Sequence, residues 1–116
     1  MNWTYDHTQL AIPKGREDDA RAFWVGILGM TELPKPEALA GRGGLWLRAG
    51  EVDLHLGVEE PFSPARKAHP CFRVPDLDAI ATRLVTEGHE VRWDTSLIDR
   101  RRFFTDDPFG NRVEFT

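Results

Sequence analysis

The chain has 116 residues, of which 41% are hydrophobic and 29% are charged. This length and composition are typical of one globular domain, and the net charge of −4 argues against a nucleic-acid or membrane surface as a partner. No apolar run approaches the roughly 20 residues that a membrane-spanning helix needs. Residues 1–6 lack the basic and apolar regions of a signal peptide, and Cys71 is the single cysteine. We therefore expect a cytoplasmic protein without disulfides.

The first predicted elements are a strand and a helix. Residues 7–13 (HTQLAIP) carry apolar side chains at alternate positions and end at proline, which is the pattern of a strand. Acidic side chains at positions 17–19 begin the helix, as the helix dipole favours, and Gly29 is placed to end it. Its apolar stripe recurs at helical spacing and consists of Ala20, Phe23, Trp24, Ile27 and Leu28.

Short β-type segments follow this helix at residues 31–33, 45–48 and 51–58. Residues 34–44 are rich in Pro and Gly and form the longest predicted irregular segment, so they are a candidate lid over a binding site. Residues 59–67 read as a linker.

The second half of the chain repeats this order. Residues 69–75 (HPCFRVP) match the first strand, and Gly88 matches Gly29. The second apolar stripe consists of Leu77, Ile80, Ala81, Leu84 and Val85, and strands are predicted at residues 90–93, 102–105 and 112–115. We predict an α+β fold of two tandem βαβββ modules that form a cup-shaped mixed sheet with helices on its outer face. The single domain covers residues 1–116, with module one at about 4–58, the linker at about 59–67 and module two at about 68–116.

Strand alternation places a set of polar side chains on the face that the helices leave open. His7, His55, His69 and Glu114 all have this phase, because their strand neighbours of opposite parity are apolar. The repeat relates His7 to His69 and His55 to Glu114, and a pseudo-twofold axis would bring the four together. Three imidazoles and a carboxylate suit zinc, nickel, manganese or iron. The sequence therefore predicts one divalent metal ion on the open face.

Other polar residues share this face and are candidates for substrate binding. The same alternation selects Gln9, Trp46, Arg48, Asp53 and Arg73. An aromatic side chain beside guanidinium groups suits a small anionic or carboxylated substrate. The run Arg100, Arg101 and Arg102 is interpreted as a solvated turn rather than as part of the site.

Three motifs resemble those of the glyoxalase / bleomycin resistance / dioxygenase family, which is the vicinal oxygen chelate superfamily. They are DHTQLAI at residues 6–12, AFW at 22–24 leading to LGM at 28–30, and DPFGNRVEF at 107–115. The resemblance implies paired βαβββ modules around a metal, with ligand positions at His7, His55, His69 and Glu114. It also implies a homodimer whose site is shared between chains. Glyoxalase I carries a Glu where this chain has His55.

The resemblance leaves several functions open. The first is a metal-dependent lyase or isomerase similar to lactoylglutathione lyase, in which Glu114 moves a proton on a chelated substrate. The second is an antibiotic resistance protein, either a thiol transferase or a drug-sequestering binding protein of the bleomycin type. All of these bind a small molecule.

Overall fold

The computed structural model describes residues 1–116 and confirms the predicted βαβββ order in each half of the chain. The first half contains β1 (Thr8–Ile12), helix α1 (Glu17–Arg21) continued by a π-helix (Ala22–Ile27), β2 (Thr31–Leu33), a 3₁₀ helix (Glu37–Arg42), β3 (Leu45–Ala49) and β4 (Val52–Val58). The second half contains β5 (Cys71–Phe72), α2 (Leu77–Thr86), β6 (Arg92–Asp94), β7 (Arg102–Asp106) and β8 (Arg112–Phe115).

The strands form two four-stranded sheets with the same topology. Their orders are β1-β4-β3-β2 and β5-β8-β7-β6. In each sheet the first strand runs parallel to the last, and the remaining neighbours are antiparallel. Gln9 is paired with His55 in the first sheet, and Cys71 is paired with Glu114 in the second. His7 precedes Gln9 by two positions, and His69 precedes Cys71 by two. His7 is therefore related to His55 in the first sheet as His69 is related to Glu114 in the second.

The helix-facing sides of both sheets contribute to one hydrophobic core. The alternation predicted for β3 and β4 is confirmed, since Leu45, Leu47, Leu54 and Leu56 are all buried. The core continues from module one into module two, where the Trp24 ring meets Phe72 edge to face at 6.2 Å between ring centroids. The shared core consequently leaves the opposite face of each sheet for polar side chains.

The first helix departs from the regular α-helix that its apolar stripe predicts. After Arg21 the turns widen, and the Leu28 N–H donates to the carbonyl of Phe23, five residues earlier. This wider turn changes the angular spacing of side chains. Phe23 and Trp24 therefore lie in the core, whereas Ile27 and Leu28 are only partly buried.

A buried asparagine joins the two modules where β8 begins. The Asn111 side chain donates to the Ala11 carbonyl of β1 and accepts from the Ala65 N–H. Its amide also donates to Asp107 within the turn before β8. Residues 59–70 between β4 and β5 contain no helix or strand. None of the helices has the length and apolar character required to cross a bilayer.

Candidate functional site

The open face of the first sheet carries a stack of three aromatic rings. The His7 and His55 rings lie 4.2 Å apart with 20° between their planes. On its other side His55 stacks on Trp46 of β3, at 4.1 Å and 4°. The position of Trp46 follows from the antiparallel register, which places it directly opposite His55. His55 is thus held between an imidazole and an indole.

This stack bears directly on whether His7 and His55 fit a metal. A ring nitrogen binds a metal in the plane of its ring, at about 2.0–2.1 Å for zinc. Two nearly parallel rings point their lone pairs side by side, so one ring must rotate before both bind the same ion. Burial, followed by the neighbouring His7, lowers the pKa of His55. A lowered pKa favours the neutral imidazole, which is the form that binds metals.

The open face of the second sheet carries His69 and Glu114 in direct contact. His69 Nε2 lies 2.9 Å from Glu114 Oε1, and His69 Nδ1 lies 2.9 Å from the carbonyl oxygen of Lys67. Both ring nitrogens therefore face oxygen atoms, and Nε2 together with Glu114 Oε1 offers two donor atoms for a metal ion. A hydrogen bond from Nδ1 to a carbonyl is also the usual way in which a metal-binding histidine is oriented.

His7 has an equivalent orienting partner. Its Nδ1 lies 2.7 Å from the Asp6 carboxylate, which leaves Nε2 available. His7 and His69 are the first-strand histidines of the two modules, and each is held through Nδ1 by an oxygen from a residue just before it. The duplication thus extends from the candidate residues to the groups that orient them.

Glu114 is the most buried charged residue among the candidates, with 5% of its side chain exposed. Burial by itself raises the pKa of a carboxyl group. In Glu114 this effect is outweighed by hydrogen bonds with His69, Cys71 and Arg102, so the net pKa is lowered. The Arg102 guanidinium lies 3.3 Å from Oε2 and Arg100 lies 3.8 Å from it. Glu114 is therefore an ionised carboxylate in a positively charged setting.

One chain does not bring the four predicted ligands together. The structure contains the His7–His55 pair and the His69–Glu114 pair, and no group of three or more His, Cys, Asp or Glu side chains is arranged to hold a metal ion. The nitrogen and carboxylate donors have the right chemistry for a divalent transition metal. Only a set that combines both pairs has enough ligands for one.

The residues predicted to bind substrate are placed differently from one another. Trp46 and Gln9 lie on the open face of the first sheet, in register beside His55. Arg48 and Asp53 are there too but bind each other, with 2.6 Å between Nε and Oδ1. Arg73 follows β5 and makes no hydrogen bond or ion pair. It borders an apolar cavity of about 520 Å³ between the modules on the helix-facing side.

Arginine side chains near Glu114 were missed by the sequence analysis. Arg102 begins β7, donates to Glu114 and Asp94, and lies over the Phe104 ring. Arg100 donates to the Cys71 sulfur at 3.4 Å. The interpretation of residues 100–102 as a solvated turn is therefore wrong for Arg102, which lies in β7, whereas Arg100 is exposed and outside the strand although it too approaches Glu114. The parity of β7 offered a signal, because Arg102 and Phe104 alternate with the buried Phe103.

Comparison with known proteins identifies the family. The family model of the Glyoxalase/Bleomycin resistance protein/Dioxygenase superfamily matches residues 4–115. The chain belongs to this superfamily. Among solved structures, a glyoxalase family protein from Bacillus anthracis is 46% identical over 99% of this chain and 96% of its own, with a TM-score of 0.94. No curated protein matches the chain.

More distantly similar solved structures share the fold. TnmS3, an antibiotic binding protein from Streptomyces sp. CB03234, is 21% identical with a TM-score of 0.74, covering 100% of this chain and 98% of its own. The fosfomycin resistance protein FosX from Listeria monocytogenes is 13% identical with a TM-score of 0.77, covering 99% and 93%. At these identities the likeness concerns the fold alone, so function depends on the residues of the site.

Proposed function

We propose that the protein is a metal-dependent, glyoxalase-like lyase or isomerase that acts on a small oxygenated substrate. The metal ligands are His7 and His55 of one chain together with His69 and Glu114 of a second chain in a homodimer. The observation that carries this proposal is the contact between His69 Nε2 and the buried Glu114 carboxylate. His69 Nε2 and Glu114 Oε1 lie 2.9 Å apart, and an imidazole nitrogen and a carboxylate oxygen this close can both bind one divalent metal.

The need for a second chain follows from the separation of the two pairs. Each module holds its own first-strand and last-strand residue together, and the chain contains no larger set of donors. In a symmetric dimer the first pair of one chain meets the second pair of the other, and this happens twice. The proposal therefore predicts about one metal ion per chain, bound only by the dimer.

Bound to these residues, zinc, nickel, manganese or iron would polarise an oxygen of the chelated substrate. Glu114 is then the group that accepts and returns a proton, because its lowered pKa keeps it ionised. Arg102 holds Oε2 at 3.3 Å and so fixes the direction in which the carboxylate faces. Trp46 and Gln9 border the substrate, and Arg100 supplies positive charge for an anionic substituent.

Arg48, Asp53 and Arg73 are weaker parts of this proposal. The Arg48–Asp53 ion pair presents little net charge to a substrate. Arg73 would need to swing from the edge of the apolar cavity to the open face. A cytoplasmic location also belongs to the proposal, supported by the single free Cys71.

The second candidate is an antibiotic resistance protein, either a thiol transferase or a drug-sequestering protein. One observation favours sequestration, namely the stack of His7, His55 and Trp46. The outer faces of His7 and Trp46 give a flat aromatic drug a surface on which to stack, whereas both faces of His55 are covered. In that case the two histidines need not rotate to share a metal ion.

The deciding experiment measures metal content and melting temperature with zinc, nickel, manganese and iron(II) added singly to metal-free protein. Binding to the folded dimer should raise the melting temperature. His69→Ala should abolish this rise and Glu114→Gln should weaken it. His89→Ala is the matched control, since His89 packs edge-on against Phe23 away from both pairs. Full retention of metal in both site variants would refute the ligand set.

Activity is then tested by hemithioacetal isomerisation with several thiols and each metal. Turnover that requires metal and is lost in Glu114→Gln supports the lyase or isomerase. The absence of turnover across all combinations, together with tight metal-free binding of a flat cationic drug, would favour sequestration. Loss of that drug binding in Trp46→Ala would locate it on the aromatic stack.

A further inference from the structure

The apolar cavity between the modules lies on the opposite side of the second sheet from the candidate site. In the ladder of β5 and β8, Cys71 is paired with Glu114 and Phe72 with Phe115. Neighbouring residues of a strand point to opposite faces of the sheet. Phe72 and Phe115 accordingly line the cavity, whereas Glu114 faces the candidate ligand His69. The cavity and the candidate site are therefore separate and share only the strands between them.

The cavity has the size and lining of a small-molecule site. Its volume is about 520 Å³, and ligand pockets usually have volumes of roughly 300–1,000 Å³. Most of its lining side chains are apolar, and several of them are only partly buried although they pack against the hydrophobic core, namely Leu28, Phe72, Val74 and Ile80. The chain therefore leaves apolar surface here that an apolar molecule would remove from water.

Trp24 forms part of the cavity wall and has an unusual donor. Its side chain is buried, and its indole N–H is the one buried side-chain polar group in the chain without a hydrogen-bond partner. A buried indole N–H usually has a partner, and an unpaired one costs about 1–3 kcal/mol. The hydrogen bonding of this wall is thus incomplete within the chain, and an oxygen atom of a ligand is a suitable acceptor.

Two charged residues at the rim select the kind of apolar molecule that fits. Arg73 and Glu51 both border the cavity and are exposed, and neither side chain makes a hydrogen bond or an ion pair. The backbone beside Arg73 is fixed, because the Val74 N–H donates to the Thr116 carbonyl. A guanidinium binds a carboxylate through two parallel hydrogen bonds. Arg73 is therefore placed to hold the carboxylate of a ligand whose apolar part fills the cavity.

We propose that this cavity binds a small aromatic carboxylate, with its ring among the apolar side chains and its carboxylate on Arg73. An aromatic ring suits the wall because Trp24, Phe72 and Phe115 offer ring faces and edges to pack against. Arg73 performs this role where it lies and does not have to reach the open face. Glu51 opposes the carboxylate and so limits its affinity. The site requires neither a metal nor the four candidate ligands, and it goes beyond the proposed function.

Nuclear magnetic resonance of the metal-free protein tests the location, with cinnamate as the probe. The chain has four tryptophans, whose indole N–H signals are followed during the titration, and Trp24→Phe assigns the signal of Trp24. Cinnamate should shift that signal with a dissociation constant below about 1 mM. The signal of Trp46, on the open face, should stay in place. A shift of Trp46 without a shift of Trp24 would place the probe at the candidate site and overturn the proposal.

Two substitutions of opposite sign test the role of charge. Arg73→Gln should raise the dissociation constant of cinnamate at least about fivefold, whereas Glu51→Gln should lower it at least about twofold because it removes a like charge. Cinnamamide has a similar shape without the charge, so it should bind more weakly and respond to neither substitution. Arg66→Gln is the matched control, since Arg66 is exposed, unpaired and outside the cavity.

A cavity-filling substitution tests the apolar part of the site. Ala49 borders the cavity and has the phase of Leu45 and Leu47, so the ring of Ala49→Phe should occupy the space of the probe. Because Ala49 is exposed at the end of β3, the melting temperature should change little. Cinnamate should then no longer shift the Trp24 signal. Ala79→Phe is the control, at an exposed position of α2 outside the cavity, and should leave binding unchanged.

The result is distinguished from the metal site by one further variant. His69→Ala should bind cinnamate as the unmodified protein does, although it should lose the metal. If cinnamate does not shift the Trp24 signal, or if Arg73→Gln and Ala49→Phe leave its affinity unchanged, the assignment of the cavity is wrong. Neither of these outcomes affects the metal proposal, which depends on metal binding by His69 and its partners.

Discussion

The buried Asn111 offers a quantitative test of how the two modules are held together. Its side chain accepts from the Ala65 N–H at 2.9 Å and donates to the Ala11 carbonyl at 2.9 Å and to Asp107 at 2.8 Å. Asn111→Ala removes all three hydrogen bonds at a residue that is 1% exposed. It leaves the Ala65 N–H of the connecting segment and the Ala11 carbonyl of β1 without this partner.

The magnitude follows from these contacts. Each intramolecular hydrogen bond contributes about 1 kcal/mol, and a buried group left unpaired costs about 1–3 kcal/mol. We therefore expect Asn111→Ala to lower the free energy of unfolding by about 3–4 kcal/mol. For a domain whose total stability is about 5–15 kcal/mol, this is a large fraction. Asn111→Asp keeps an acceptor for Ala65 but loses both donated bonds, so it should be no better than Ala at neutral pH.

Urea unfolding followed by circular dichroism measures this change through the midpoint and slope of the transition. Asn2→Ala is the matched control, because Asn2 is exposed and makes no side-chain hydrogen bond. It should alter stability by less than about 0.5 kcal/mol. A loss below about 1 kcal/mol in Asn111→Ala, with an unchanged slope, would show that the three hydrogen bonds do not stabilise the native state as argued.

Two further predictions concern a turn and a buried acid. Gly44 has φ +81°, and a side chain there would overlap the Leu56 carbonyl, so Gly44→Ala should lower the free energy of unfolding in urea by at least about 2 kcal/mol. Gly41 has open space around it, so Gly41→Ala should lower it by less than about 0.5 kcal/mol. Equal effects of the two substitutions would contradict this prediction. Burial raises the pKa of Asp107, whereas hydrogen bonds from Ser96 and Arg102 lower that of Asp94. Because folding raises the pKa of Asp107, the free energy of unfolding falls as pH rises through the pKa of the folded state and the carboxyl group ionises. Carboxyl NMR titration should find the pKa of Asp107 above 3.8 and the pKa of Asp94 below 3.8. The reverse order of the two pKa values would be inconsistent with this account.

Much of the fold was predictable because it depends on local patterns. Strand alternation sorted Leu45 and Leu47 from Trp46 without knowledge of any tertiary contact, and burial confirms it. The repeated order of strand, helix and three strands is likewise visible in the sequence. The π-helical turn after Arg21 was not predictable, because an apolar stripe at helical spacing does not reveal where one hydrogen bond skips to the fifth residue.

The environment of Glu114 depends on contacts that no local pattern contains. Arg102 reaches Glu114 from the neighbouring strand, and Arg100 reaches it from the loop before β7. A run of three arginines directly after Asp99 favours a solvated turn when it is read from the local sequence alone. Only the antiparallel register of β7 and β8, which places Phe104 opposite Glu114, shows that this carboxylate lies beneath that segment.

The arrangement of the four candidate ligands follows from strand order rather than from side-chain chemistry. Within each module the first strand runs parallel to the last, so the local fold alone brings His7 to His55 and His69 to Glu114. Strand phase adds that both pairs lie on open faces, but it contains no information about the relation of one sheet to the other. A shared core places the helix-facing sides of the two sheets together within the chain. The proposed meeting of the two pairs therefore requires a second chain, and metal binding that persists in a strictly monomeric variant would contradict that proposal.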